Sequence, residues 1–146
     1  LVGSEMCIRD RRRTSSSGSV ALRRVGADAV IVPVPYVVED LARRLRAEGL
    51  VVHTGYGHSR MRVDLAVEHP KEPGRMLLAV ESDGDAYAAM GSVRERDRLR
   101  PEALERLGWH HDRVWTVGLF RDPARDSSRI VALVGRLLAE ENDERF

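Results

Sequence analysis

Residues 61–84 read MRVDLAVEHPKEPGRMLLAVESDG, and this stretch decides the fold. Met61, Val63, Leu65 and Val67 alternate with Arg62, Asp64, Ala66 and Glu68, the period of two that marks a strand. Pro70, Pro73 and Gly74 punctuate a turn, and Met76 to Val80 then forms an apolar strand ending at Glu81-Ser82-Asp83-Gly84. Paired as a hairpin with Glu68 facing Arg75, the strands set Asp64 against Ala79 and Glu81 against Arg62. Asp64 and Glu81 are then diagonal on one face, with Cα atoms on the order of 7 to 8 Å apart. A register slip of two residues puts them directly opposite. An odd slip parts them and turns an apolar row outward. Two carboxylates this close call for a cation between them. A divalent metal is one candidate, and Arg60, Arg62 or a downstream arginine-rich helix is the other.

Upstream, Val34, Val38, Leu41, Ala42 and Leu45 recur at helical spacing and Gly49 follows as a C-cap, so an amphipathic helix is expected over residues 35–48. A short strand over residues 50–53 and the turn at Gly55-Tyr56-Gly57 complete an antiparallel meander of three strands. Downstream, Ser92 and Glu95 form a capping-box signature that opens the arginine-rich helix, which Pro101 should interrupt or kink before Gly108 ends it. A fourth strand is expected over residues 113–117. Asp126 or Ser127 should cap a last helix whose Ile130, Val131, Val134, Leu137 and Leu138 face the core. The expected order is αβββαβα.

The chain of 146 residues has room for one hydrophobic core. With 42% apolar and 32% charged residues and no apolar run of membrane-spanning length, it reads as a soluble, cytoplasmic protein that does not enter a membrane. The net charge of +1 excludes a uniformly basic nucleic-acid glove, so any nucleic-acid surface must be a local stripe. Lys71 is the only lysine, and a site that ordinarily uses lysine must here borrow a guanidinium. Residues 1–26 read as a scar and a flexible linker: Met6-Cys7-Ile8-Arg9-Asp10-Arg11 resembles the translation of a sequencing adapter found in metagenomic assemblies, and Ser15 to Ser19 is a Ser/Gly linker. The one cysteine, Cys7, falls inside that stretch and says nothing about disulfides. The domain proper spans residues 27–140, and residues 141–146 read as a polar tail.

Six strings follow one another in order: Val63-Asp64-Leu65-Ala66-Val67; Leu78-Ala79-Val80-Glu81-Ser82-Asp83-Gly84; Arg94-Glu95-Arg96-Asp97-Arg98-Leu99-Arg100; Leu104-Glu105-Arg106-Leu107-Gly108-Trp109; Arg113-Val114-Trp115; and Phe120-Arg121-Asp122-Pro123. Together they resemble the restriction-endonuclease-like domain found at the carboxyl end of bacterial superfamily-1 DNA helicases. That domain is a branch of the PD-(D/E)XK nucleases related to very-short-patch-repair endonucleases. The resemblance implies an α/β fold with an αβββαβ core, a central mixed sheet flanked by helices and an extra C-terminal helix. It also implies that Asp64 and Glu81 bind Mg²⁺, with Mn²⁺ as a substitute, that Asp83 assists, and that DNA is the substrate. Arg94, Arg96 and Arg100 would contact DNA phosphates. The chain departs from the family pattern at Ala88, where a histidine follows the tyrosine, at Pro101, after Trp115, and at Asp83, where the wider fold carries a lysine.

Three functions follow from these readings: a metal-dependent deoxyribonuclease working with a helicase, a DNA-binding or scaffolding relic of the same fold, and a structural domain docked on a helicase. The arginines of residues 94–100 alternate with Glu95 and Asp97, a pattern that also fits a solvated face. Trp109 and Trp115 read as core or sheet-packing residues. His110 and His111 read as loop histidines, and His58 is near enough to the glycine turn to reach the site. No glycine-rich phosphate loop with Lys and Ser/Thr is present.

Overall fold

The computed structural model describes residues 34–58 and 62–144, so the expected scar and linker lie outside the described residues. Helix α1 (Val34–Ala47) buries Val38, Leu41, Ala42 and Leu45 along one stripe. It ends where Gly49, at φ 87°, takes the left-handed conformation that only glycine adopts cheaply. There the Leu50 N–H reaches back to the Leu45 carbonyl at 3.2 Å. That turn consumes Leu50, so β1 begins later than expected and runs Val52–Tyr56. As an edge strand, β1 leaves carbonyls unpaired, and the Val52 oxygen is covered by Arg46 through Nε and Nη2 at 3.1 and 2.9 Å.

Strands β2 (Val63–Glu68) and β3 (Met76–Ser82) form the expected hairpin, and the sheet order is β1-β2-β3-β4. β1, β2 and β3 pair antiparallel, whereas β4 (His110–Val114) lies parallel to β3, which makes the sheet mixed. β4 sits three residues earlier than the sequence reading placed it. His110 pairs with Leu78 and Val114 with Ser82, and the chain then turns at once into α4 because Asp83 Oδ1 accepts the Thr116 N–H at 2.7 Å.

Between β3 and β4 lie α2 (Asp85–Ala89), which was not expected, and the arginine-rich segment. Ser92 Oγ accepts the Glu95 N–H at 3.1 Å, as the capping box requires. Pro101 acts as anticipated: the segment opens as a π-helical turn over Glu95–Leu99 and becomes regular only in α3 (Arg100–Glu105), with proline in the first turn, where its missing N–H costs nothing.

A short helix that was not expected, α4 (Thr116–Arg121), follows β4, and the expected last helix is α5 (Pro123–Glu144). Its start is set by Asp122, whose Oδ1 accepts the Arg125 N–H at 3.0 Å, with Pro123 at the first helical position, and not by Asp126 or Ser127. Its end differs too. The residues read as a polar tail continue the helix through Glu144, because Glu141 is tied to the hairpin turn by Arg75 Nη2 at 2.5 Å and by His69 Nε2 at 3.1 Å.

The two sheet faces are unequal. α1 and α5 cover one, where Leu41, Leu45, Leu65, Leu78, Val80, Ile130 and Val134 form the main core. The other holds only Val63, Ala66, Met76, Ala79 and Leu104, with Tyr56 and Trp109 packed against them. This thinner face is where polar residues of the central strands find room. No helix among the described residues is long and apolar enough to cross a membrane.

The Glu141 anchor gives a first test. The hydrogen bond from Arg75 is the main reason that its carboxyl sits below the ordinary carboxylate range. A depressed carboxyl contributes stability above its unfolded-state pKa, and that stability is lost as pH falls through the folded value. Glu141→Gln should therefore cost about 0.5–1 kcal/mol at neutral pH, as a partly exposed pair does. The gap between variant and wild type should close as the pH is lowered through the acid range, which thermal melts at a series of pH values will read.

Candidate functional site

The hairpin register brings the two carboxylates together. Glu68 pairs with Met76 but Val67 pairs with Leu78, so Leu77 is the extra residue of a β-bulge. Leu77 and Leu78 consequently both enter the main core. Past the bulge, Leu65 pairs with Val80, where the ladder ends, and the same register continued by one residue would set Asp64 across from Glu81. The register is thus slipped by two from the simplest hairpin. Without the bulge the slip would be odd, and Asp64 and Glu81 would fall on opposite faces.

Asp64 is half-buried, and its Oδ2 accepts two hydrogen bonds from Ser82, from N–H at 2.7 Å and from Oγ at 2.6 Å. Glu81 is 6% exposed and each of its oxygens is engaged. Oε1 accepts Arg100 Nε at 2.9 Å and Nη2 at 2.7 Å, and Oε2 accepts His111 Nε2 at 3.0 Å. Burial alone pushes the Glu81 carboxyl up. The hydrogen bonds from His111 and Arg100 and their charges outweigh it, and the group lies below its ordinary range. An ionised carboxylate only accepts, so the His111 proton is on Nε2. His111 is therefore a strand residue bonded to Glu81 rather than a loop histidine.

Asp64 and Glu81 line one shallow depression with Tyr87, Met90 and Arg113. The guanidinium carbons of Arg96 and Arg113 lie 4.9 and 4.8 Å from the Tyr87 ring centroid, close enough for cation–π attraction. Arg113 is also fixed by Asp97 Oδ1 at 2.7 Å and by the Arg96 carbonyl at 2.8 Å. A wider open groove runs along β1, lined by Arg46, His53, Tyr56 and His58, and it carries no acidic residue. His58 lines that groove and not the depression of the carboxylates.

The structure brings Asp64, Glu81, Arg96 and Arg100 to one region and leaves the rest of the expected set outside it. Asp83 is spent on capping α4. Arg94 is exposed beside the capping box. Arg98 pairs with Glu102 at 2.9 Å on the solvated side. Trp109 packs against Tyr56 with ring centroids 5.7 Å apart, as a core residue should, but Trp115 is 53% exposed and is not a core residue. Sequence reasoning missed His111 and Arg113 as neighbours of the site, because residues 110–113 are all polar and show no strand alternation. The usable signal was Val114, buried at the end of that run.

Two carboxylates on one face are hard oxygen donors of the kind that a divalent cation takes. Asp64 Oδ1 accepts no hydrogen bond among the described residues. Those residues contain no group of three or more His, Cys, Asp and Glu side chains gathered to hold a metal. The donor set fits Mg²⁺, which keeps several waters and accepts one or two carboxylates, and it fits only if Arg100 gives up Glu81.

The model of the family REase_MTES_1575, a restriction-endonuclease-like domain, matches residues 38–134, a span that begins inside α1, ends inside α5 and contains every residue of the depression. No curated protein and no solved structure matches the chain.

Proposed function

The chain belongs to the restriction-endonuclease-like family REase_MTES_1575, and on that premise we propose that it is a metal-dependent deoxyribonuclease module that hydrolyses phosphodiester bonds in DNA and works with a DNA helicase. The observation that carries this reading is that Asp64 and Glu81 line one depression, on the thin face to which the register past the bulge at Leu77 directs them both. A bulge that aligns two acids against their own repulsion is a feature of function more than of stability.

In this reading Asp64 and Glu81 hold Mg²⁺ or Mn²⁺. Such a cation supplies nucleophile activation and charge neutralisation at the scissile phosphate when bound. The chain's own residues do the rest. Ser82 orients Asp64 through two hydrogen bonds, and His111 fixes the rotation of Glu81. Arg96, whose guanidinium lies against Tyr87 and has no hydrogen-bond acceptor among the described residues, takes a non-bridging phosphate oxygen, and Arg94 tracks the strand further out. Asp83 acts through the α4 terminus that it caps, as a positioning residue. Where the wider fold has a lysine beside its glutamate, the cation bonded to Glu81 here is Arg100, which stabilises charge but does not shuttle a proton.

A second reading has support in the same contacts. With both oxygens of Glu81 engaged and Ala88 where the family carries histidine, the domain also fits a DNA-binding relic that no longer cuts. Incubation of supercoiled plasmid with the protein separates the two. Nicked circles with Mg²⁺ or Mn²⁺ and none with EDTA are expected, together with a metal-dependent rise in melting temperature. Neither effect at millimolar metal sinks the nuclease reading. A thermal shift without nicking assigns the relic.

A further inference from the structure

β4 ends at Val114, and the chain leaves the sheet through Trp115, the residue before α4. A large apolar ring at the end of a strand ordinarily turns inward, yet Trp115 is 53% exposed. Its ring contact is Tyr87, edge-on, with centroids 5.9 Å apart and planes at 79°. An edge contact of this kind covers at most one face of the indole, and the 53% exposure is that of a ring whose other face is open to solvent. The backbone behind it is held on both sides: Asp83 takes the Thr116 N–H at 2.7 Å, and the Trp115 carbonyl accepts the Leu119 N–H at 3.0 Å. The ring is thus presented by a fixed support.

Its surroundings say what it is presented to. Tyr87 lines the depression that holds Asp64 and Glu81, and the guanidiniums of Arg96 and Arg113 lie over the same tyrosine ring. Cations beside an open aromatic face are the combination that grips a phosphodiester backbone while its base stacks. A base inside a duplex is already stacked on its neighbours and has no free face to offer, whereas an unpaired base has two. We infer that Trp115 is a stacking platform for an unpaired nucleobase, and that the strand delivered to the carboxylates is single-stranded or locally opened DNA. This rests on the nuclease reading and adds the substrate class to it.

The test is binding without cleavage. In EDTA, fluorescence anisotropy is measured with a labelled oligothymidylate of about twelve nucleotides and with a duplex of the same length. Trp115→Leu keeps apolar bulk but removes the π-face, and it should weaken single-strand binding by about tenfold while changing duplex binding by less than about twofold. Trp115→Phe should retain most of the affinity. Wild-type affinity for the single strand in Trp115→Leu overturns the stacking proposal, and so does an equal loss on both substrates. If the wild type binds duplex and the leucine variant loses nothing on single strands, the stacking proposal falls alone. If the wild type binds neither form, the nuclease reading falls with it. Should the leucine variant fold poorly, the intact protein decides: saturating oligothymidylate must quench the indole emission, and unchanged emission overturns the proposal.

Discussion

Replacing Arg100 by methionine is expected to destabilise the metal-free protein by about 3 kcal/mol and to make it bind Mg²⁺ or Mn²⁺ about tenfold more tightly. The side chains of Arg100 and Glu81 are 9% and 7% exposed, so removal of the cation strands a buried carboxylate with only His111 to compensate it. Loss of one member of a buried pair costs far more than the pair itself contributes. A divalent cation can then enter without displacing the guanidinium, and the lost stability should return as metal is added. The double variant Arg100→Met with Glu81→Gln separates two explanations. With no buried charge left, it should recover most of the metal-free stability and lose the metal response. An Arg100→Met protein that responds to metal no more strongly than wild type would make the Glu81–Arg100 pair purely structural. Calorimetric metal titrations and thermal melts provide both readouts.

The contact also answers what neutralises Glu81. Repulsion between Asp64 and Glu81 left two candidates at the level of sequence, a metal or an arginine, and on Glu81 the partner is the helix arginine Arg100. Much of the frame was legible for a plain reason. Val63, Leu65 and Val67 alternate with Asp64, Ala66 and Glu68, and that period fixes which residues share a face whatever the pairing. The register itself was not legible. Residues 76–80 are apolar without alternation, so nothing in them marks Leu77 as the extra residue, and a hairpin counted from its turn sets Asp64 against Ala79. The shared face survived because the true shift is even.

β4 was misplaced for the converse reason. Its residues His110 to Arg113 are all polar, and His111, Asp112 and Arg113 take side-chain partners across the sheet and from neighbouring helices, so hydrophobic period has nothing to detect. Parallel pairing with β3 is a tertiary fact that no local pattern carries. Trp115 was misjudged by identity, since its burial depends on where the sheet ends. The start of α5 was legible and overlooked, because an aspartate before a proline is a helix-start signal in its own right.

The largest expected effect on activity belongs to Asp64→Asn, which should reduce metal-dependent nicking by about a hundredfold or more. Relief of the like-charge contact with Glu81, taken by itself, would make this change neutral or mildly stabilising without metal. The hydrogen bonds reverse that sign. Asp64 Oδ2 accepts the Ser82 N–H and Oγ–H, and an amide oxygen holds both more weakly than a carboxylate does. Asp64→Asn should therefore cost about 1 kcal/mol in EDTA. Ser82→Ala is the companion variant. It removes the hydroxyl and keeps the backbone bond, so it should cost a similar amount of stability while cutting activity by only about tenfold, the usual penalty for loosening a ligand's support. A ligand role for Asp64 requires the two variants to part in activity while they agree in stability. If activity instead follows stability in both, Asp64 serves to tie β2 to β3, and the metal must be sought elsewhere on the thin face.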